Sequence, residues 1–246
     1  MIKPLHHLGL YFIMMKKVIN KPENWSIFRK QLSLEMEKVG LNSISLVIIL
    51  SFFVGAVVSI QTSINMSNPL LPSYLVGLAS RDSLILEFSP TMISLILAGK
   101  VGSSIASELG SMRVTEQIDA LEIMGINSAN FLILPKIIAA IFFFPLLITI
   151  SMGIGMVGAW VGGLSAGVTT ADFIFGLKYE FTPFYIKYAI IKTIFFAFII
   201  STVSSYFGYH TKGGAIAVGK SSTNAVVISS ILILLFNYIL TDIILS

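Results

Sequence analysis

The sequence predicts an all-α integral membrane protein that crosses the bilayer five times. Of its 246 residues, 55% are apolar and only 11% are charged, whereas soluble domains are about 25% charged. Long stretches without Asp, Glu, Lys or Arg also reach the roughly 20 residues that a spanning helix needs. Because the ten-residue alternation of a membrane β-barrel is absent, helices are expected to satisfy the backbone in the bilayer. The uncharged stretches are residues 41–80, 137–171, 193–211 and 221–241.

Residues 1–40 are predicted to form two amphipathic helices at the membrane interface. Apolar side chains recur at helical spacing in residues 5–19 and again in 24–39, and neither segment is long enough to cross the bilayer. Seven Lys or Arg against three Glu in this region predict a cytoplasmic position beside anionic lipid rather than contact with nucleic acid. For the second segment, a surface helix packed on the bundle is an equally good interpretation.

Residues 41–246 are predicted to be one transmembrane domain. A turn-rich break at residues 65–72, which contains Ser67 and Pro69, follows the first span. Residues 126–171 are too long for one perpendicular span and short for two. We predict a single helix kinked at Pro145, because a second span here would place Lys212 and Lys220 outside, against the positive-inside rule. The five spans are predicted at about residues 41–66, 84–109, 129–166, 184–209 and 225–245.

Small residues predict where these helices pack closely. In the second span they recur at every fourth position, and the third span contains two GxxxG pairs. Small side chains let helix backbones approach each other in a membrane. The positions are Ala98, Gly102, Ala106 and Gly110 in the second span, and Gly158/Gly162 and Gly163/Gly167 in the third.

Residues 110–125 are predicted to form a short amphipathic helix outside the membrane. They interrupt the apolar pattern with residues that favour a helix. Glu116, Asp119 and Glu122 are spaced three apart and lie along one side, while apolar residues occupy an adjacent side. The apolar residues are Ile118, Leu121 and Met124.

Residues 214–221 match the phosphate-binding pattern GxxxxGK[ST] letter for letter. That pattern works when a strand enters the loop and a helix leaves it within an α/β domain. Here a spanning helix precedes the motif, and only 25 residues follow Ser221. We therefore predict a cytoplasmic loop whose glycines allow tight turns.

Other chemistry-bearing patterns are missing from the sequence. There is no cysteine, and His6, His7 and His210 are too scattered to suggest a metal site. No GxSxG element is present. We predict no catalytic residue, no metal and no cofactor.

The segment 87–125, EFSPTMISLILAGKVGSSIASELGSMRVTEQIDALEIMG, resembles the signature region of the MlaE (YrbE) permease family. The resemblance rests on Glu87 with Pro90, on residues 98–103, and on residues 108–118. A second match lies at residues 208–223, so the phosphate-loop pattern is explained as part of a family loop. Members of this family are membrane subunits of ABC transporters that move phospholipids or other lipids together with MCE-domain proteins.

The resemblance implies that residues 110–125 are a coupling helix that docks on a separate ABC ATPase subunit. The chain would then not be an enzyme itself, because ATP hydrolysis would occur on that partner. It would pair with a second copy of itself and an MCE-domain protein in the bacterial inner membrane, with lipid bound between the copies. The coupling residues it implies are Glu108, Arg113, Glu116, Gln117, Asp119, Leu121, Glu122 and Met124.

Glu87, Lys192 and Asn237 are predicted to be polar residues of the lipid cavity. Ionisable groups inside a membrane are costly and usually face a cavity or each other, so a structural ion pair between spans is an equally good interpretation. Two other classes of function stay open at this point. A stand-alone secondary transporter of a small solute would be expected to show internal repeats, and a lipid-modifying membrane enzyme would be expected to show clustered aspartates.

Overall fold

The computed structural model describes residues 2–20, 24–66, 68 and 70–245, with side chains from residue 6 onward. Ser67 and Pro69 of the predicted break lie outside the described residues. Within these ranges the regular structure is entirely helical. The helices are α1 (Ile2–Val18), α2 (Trp25–Asn65), α3 (Tyr74–Val114), α4 (Gln117–Ile123), α5 (Ser128–Ser165), α6 (Thr170–Lys178), α7 (Phe184–Tyr209) and α8 (Ala215–Leu245).

Among the described helices, α2, α3, α5, α7 and α8 are long and apolar enough to cross a membrane. This confirms the predicted fold class. It also confirms a single span within residues 126–171, since α5 runs without interruption through Pro145.

The second predicted amphipathic segment and the first span form one continuous helix, because α2 starts at Trp25 and continues through a π-helical turn at Glu37–Leu41. Gly40 does not break the helix. A Cβ added there would overlap the ring of Phe143, so the glycine allows close approach of that ring.

The long loop predicted before the fifth span is wrong, and the helix that contains this span begins before residue 225. Helix α8 begins at Ala215, so residues 215–223 are helical and only five residues separate α7 from α8. The residues here are polar but helical, and hydroxyls can be satisfied by the helix backbone, as when the Thr223 Oγ1 donates to the Gly219 carbonyl oxygen. The turn requires only Gly213, with φ +115°. The phosphate-loop pattern therefore lies mostly in the first turns of a helix that no strand precedes in the described chain.

Contacts divide the chain into two compact units. The first comprises Met1–Asn42, Leu95–Phe143 and Phe195–Phe236, and the second comprises Ser43–Ser94, Phe144–Ile194 and Asn237–Ser246. Long helices such as α5 and α7 contribute residues to both units.

In the first unit, small residues of α3 pack closely on another helix as predicted, and the partner is α7. A Cβ added to Gly102 would lie 2.8 Å from the Ser204 Oγ. On the opposing helix, a Cβ added to Gly208 would lie 2.7 Å from the Ala106 carbonyl oxygen. A methyl group at either position would require its neighbour to shift, so these small residues allow the two helices to lie in close contact.

In the second unit, glycines of α5 bring its backbone against α2. A Cβ added to Gly158 would overlap the Phe52 carbonyl oxygen, and one added to Gly162 would overlap the Ala56 carbonyl oxygen. Gly163 faces Ser59 and the ring of Phe173. Gly167 packs against nothing within 4 Å and instead has φ +87°, just beyond the end of α5. The packing role predicted for Gly167 is therefore wrong, because the chain needs a left-handed residue there to leave the helix.

Candidate functional site

Glu87, Lys192 and Asn237, which are far apart in sequence, form one hydrogen-bonded cluster in the second unit. The Lys192 Nζ donates to the Glu87 Oε2 at 2.9 Å. The Asn237 Nδ2 donates to the other carboxylate oxygen, Oε1. Helices α3, α7 and α8 each supply one member, so the cluster joins three spanning helices.

The backbone around Glu87 is adapted to this cluster. Residues Leu84–Met92 of α3 form a π-helical stretch with Pro90 inside it. Proline has no N–H to donate within the helix. Close to it, the Leu86 carbonyl oxygen accepts a hydrogen bond from the Lys192 Nζ at 3.3 Å. Single π-helical turns within helices are frequent at functional sites.

Three further residues complete the cluster and were not singled out from the sequence. The Thr91 Oγ1 donates to the Asn237 Oδ1 at 2.9 Å. The Thr241 Oγ1 lies 3.4 Å from the Lys192 Nζ, and the same Nζ lies 4.8 Å from the centre of the Tyr188 ring. Each lies four residues from a predicted member on the same helix, so the helical i, i+4 relation is the signal that could have found them.

The charges of the ion pair differ in accessibility. The Lys192 side chain is fully buried, whereas the Glu87 side chain is 42% exposed. Contact between a carboxylate in a spanning helix and lipid tails is energetically costly. The exposed part of the Glu87 carboxylate is therefore expected to face a cavity or a partner. The cluster therefore presents one oxygen-rich surface backed by a buried cation.

Helix α4 is the second candidate site, and it lies in the first unit. It is shorter than the predicted segment 110–125, because residues 110–114 belong to α3 and Glu116 adopts a left-handed backbone with φ 59° between the two helices. Glu116 and Gln117 are exposed. The Gln117 side chain bonds to the Thr115 hydroxyl at 3.0 Å.

Helix α4 is held on the bundle by one apolar and two polar anchors. Ile118 is completely buried. Asp119 accepts from the Arg113 guanidinium at 2.6 Å, and Glu122 accepts from the Tyr209 hydroxyl at 2.8 Å. These contacts fix both ends of the short helix relative to α3 and α7.

Glu122 is further stabilised as a carboxylate. The Tyr209 hydroxyl and, next, the Ser128 Oγ at 2.9 Å hold the pKa of Glu122 below its usual value. Hydrogen bonds to the charged form favour ionisation. Two of the three acidic residues predicted to meet a partner, Asp119 and Glu122, are thus already bonded to groups of this chain.

The outer surface of α4 is partly apolar. Leu121 is half-buried, but Ile123 is 87% exposed and Met124 is 65% exposed. Ile123 was not singled out from the sequence, although it adjoins the predicted Met124. Glu116, Gln117, Ile123 and Met124 together form an exposed acidic and apolar patch, which is below called the α4 patch.

Glu108, also predicted as a coupling residue, lies instead in a charge cluster of the first unit. Its carboxylate pairs with the Lys136 Nζ at 2.6 Å and with the Lys38 Nζ at 2.7 Å. Lys136, which is buried, also pairs with Glu35 at 2.7 Å. This cluster joins α2, α3 and α5, the last two being the helices on either side of α4.

No three His, Asp or Glu side chains are grouped as metal ligands in the part of the chain that the structure describes.

Comparison with known proteins identifies relatives that match most of this chain. The family model for Permease MlaE matches residues 32–243. A probable ABC transporter permease protein of Rickettsia bellii is 37% identical over 92% of this chain and 85% of its own length. The corresponding protein of Rickettsia prowazekii is 36% identical over 98% and 93%. The chloroplastic protein TRIGALACTOSYLDIACYLGLYCEROL 1 of Arabidopsis thaliana is 32% identical over 85% of this chain and 59% of its own length.

Proposed function

Because the chain belongs to the MlaE family of ABC transporter permeases, we propose that it carries a phospholipid or a related lipid through the membrane. The Glu87–Lys192–Asn237 cluster is the observation that carries this proposal. It offers a half-exposed carboxylate and an amide, backed by a buried ammonium group, within spanning helices. Such a surface suits the polar headgroup of an amphiphile whose chains remain among apolar side chains. The name of the Arabidopsis relative contains that of a galactolipid, which supports a lipid cargo.

A separate ATPase subunit is proposed to drive transport through α4. A short helix anchored by Ile118, Asp119 and Glu122 can be displaced as a rigid body. The α4 patch offers a partner both apolar contact and a negative charge at Glu116. This combination fits a cleft with an apolar base and basic residues at its edge.

The complex is further proposed to contain a second copy of the chain and an MCE-domain protein. ABC transporters require two membrane halves, and α8 exposes a long apolar face that includes Leu234, Leu235 and Tyr238. The MCE-domain partner follows from the family resemblance. The basic N-terminal region supports a cytoplasmic N-terminus in a bacterial inner membrane.

Affinity purification of the tagged chain, co-expressed with the products of its neighbouring genes, tests the ATPase proposal. A stoichiometric ATPase should co-purify with the unmodified chain and be lost with Glu116→Lys, which reverses the charge of the α4 patch. Glu180→Lys is a matched control, because Glu180 is also an exposed glutamate with a positive φ, 45°. Retention of the ATPase by both variants would contradict the docking site. Ion-dependent solute transport by the purified chain alone would instead support a secondary transporter.

Transfer of a fluorescent phospholipid between liposomes, catalysed by the reconstituted complex, tests the cargo. ATP should stimulate transfer, and Lys192→Met should abolish it while the ATPase still co-purifies. Undiminished transfer by this variant would argue against the cluster as the lipid site.

A further inference from the structure

An open apolar groove lies in the first unit between α1, α7 and α8. Its volume is about 710 Å³, within the range of small-molecule binding sites. Almost all of its lining is apolar, with His7, Tyr11, Thr202 and Tyr206 as the exceptions. Its apolar lining includes Leu8, Phe198, Val203, Ile228, Leu232 and Phe236.

The groove exists because α1 packs tightly at only one end. Near its C-terminus, Met14, Met15 and Val18 are buried, and the Asn130 side chain donates to the Val18 carbonyl oxygen at 2.7 Å. Towards the N-terminus, the described contacts with α7 are instead made through long polar side chains. The His7 Nδ1 lies 2.6 Å from the Tyr206 hydroxyl, and the Tyr11 hydroxyl donates to the Thr202 Oγ1 at 3.0 Å.

The dimensions of the groove suit one lipid chain. Its lining extends along α7 from Phe195 to Phe207, which corresponds to about 18 Å at the rise of an α-helix. One leaflet contributes about half of the roughly 30 Å hydrocarbon core, or about 15 Å. If the groove were empty, the side chains that line it would lose van der Waals contacts, and an apolar space does not hold water well. In a membrane, the surrounding acyl chains are available to fill it.

One end of the groove is polar and basic. The Tyr206 ring lies 4.6 Å from the His210 ring, and the Tyr206 hydroxyl bonds to His7. Burial lowers the pKa of His210 and so favours its neutral form. Arg113 and Lys212 lie near His210. Because Asp119 neutralises Arg113, Lys212 remains to bind an anion.

We propose that this groove binds an acyl chain of an anionic membrane phospholipid, with the lipid phosphate beside His7 and Lys212. The bound lipid fills the space under the N-terminal half of α1 and holds that helix on α7 and α8. The proposal requires only that the chain resides in a membrane, and it holds whether or not a lipid is the transported cargo.

Photolabelling of the unmodified complex in phosphatidylcholine vesicles tests this proposal. The probe is phosphatidylglycerol with a diazirine on its acyl chain, and the labelled residues are mapped by mass spectrometry. Labels should concentrate on groove residues of α1, α7 and α8. Labelling that is spread evenly over the exposed faces of the spanning helices would overturn the proposal. This experiment uses only the unmodified protein, so its result does not depend on the folding of a variant.

A pair of leucine variants provides the matched comparison. Leu232→Trp fills the groove and should lower groove labelling several-fold, whereas Leu146→Trp, on an exposed face of α5 away from the groove, should leave it unchanged. Equal labelling of the two variants would overturn the site.

Two further results would reassign the occupant. Stronger labelling by diazirine-bearing palmitic acid or phosphatidylcholine than by phosphatidylglycerol would overturn the anionic phospholipid. A disulfide between two copies of Leu232→Cys would show that a second chain covers the groove. Lipid transfer by the complex is measured separately, so failure of the groove leaves the proposed function standing.

Discussion

Lys192 has no exposed surface, so its charge is stabilised only by groups of the chain itself. Within the cluster these are the Glu87 carboxylate, the Leu86 carbonyl oxygen and the Thr241 hydroxyl, with the Tyr188 ring on one side. Removing one partner of a buried ion pair is more harmful than replacing both partners, because the remaining charge has lost its compensation.

We therefore expect Glu87→Gln to destabilise the protein more than the double variant Glu87→Gln, Lys192→Met. The loss should lie near the lower end of the roughly 3–5 kcal/mol typical of broken buried pairs, because the Glu87 side chain is 42% exposed. Thermal unfolding of the two single variants and the double variant in detergent measures the coupling. Equal and additive losses would show that the two charges do not interact.

At Glu122 the same reasoning predicts a dependence on pH. The Tyr209 and Ser128 hydroxyls lower the pKa of Glu122 in the folded protein. The carboxylate therefore stabilises the fold above the pKa of the unfolded state, about 4.3. This stabilisation is lost as the pH falls through the lower pKa of the folded state. The protection factors of the α4 amides, which correct for the slower intrinsic exchange at low pH, should therefore fall below about pH 4.3.

The Tyr209→Phe variant tests the cause of this shift. Without the hydroxyl, the pKa of Glu122 should rise towards its usual value. Helix α4 should then be less protected at neutral pH and should lose less additional protection as the pH falls. Tyr238→Phe, at an exposed position, serves as the control and should leave the exchange profile of α4 unchanged. A profile that is the same in all three proteins would rule out this anchor.

The close contact between helices α2 and α5 depends on glycines, which have no side chain. Gly158 and Gly162 bring the α5 backbone against carbonyl oxygens of α2, so even a methyl group requires the helices to separate. Gly153 lies on the same helix but has no atom within 4 Å of an added Cβ.

We expect Gly158→Ala to destabilise the protein by about 1–3 kcal/mol, the usual range for overpacking. Gly153→Ala should be neutral or slightly stabilising, because alanine favours a helix over glycine. The midpoint of thermal aggregation in detergent distinguishes them. Similar midpoints for both variants would mean that α2 and α5 are not in close contact.

At the scale of the whole molecule, local sequence patterns predicted much of the helical framework. Apolar stretches revealed the five spans, and small residues in α3 revealed the face that packs on α7. The polar residues 215–223 predict a loop, but the structure has the start of α8 there. Hydroxyls such as that of Thr223 can bond within a helix. Polarity indicates that a segment leaves the membrane, and it does not by itself indicate that the helix ends.

The sequence predicted only the charged and amide members of the candidate site. Glu87, Lys192 and Asn237 stand out because charged or amide groups are rare in apolar spans, whereas Thr91 and Thr241 do not. The groove under α1 could not be predicted at all, since it depends on how far α1 is held from α7 by His7 and Tyr11. Such spacing arises from contacts between residues nearly 200 positions apart.

The five-span arrangement makes a final prediction about which side of the membrane each loop faces. Between Glu116 and Glu180 the only helix long enough to span is α5, so these exposed residues should lie on opposite sides. The positive-inside rule places Glu116 in the cytoplasm, on the side of the basic N-terminal region. Because the chain contains no cysteine, Glu116→Cys and Glu180→Cys each introduce a single reactive thiol. A membrane-impermeant maleimide should label position 180 in intact spheroplasts and position 116 only in inside-out vesicles. The reverse pattern would invert the topology, and labelling of both positions from one side would mean that α5 does not cross the bilayer.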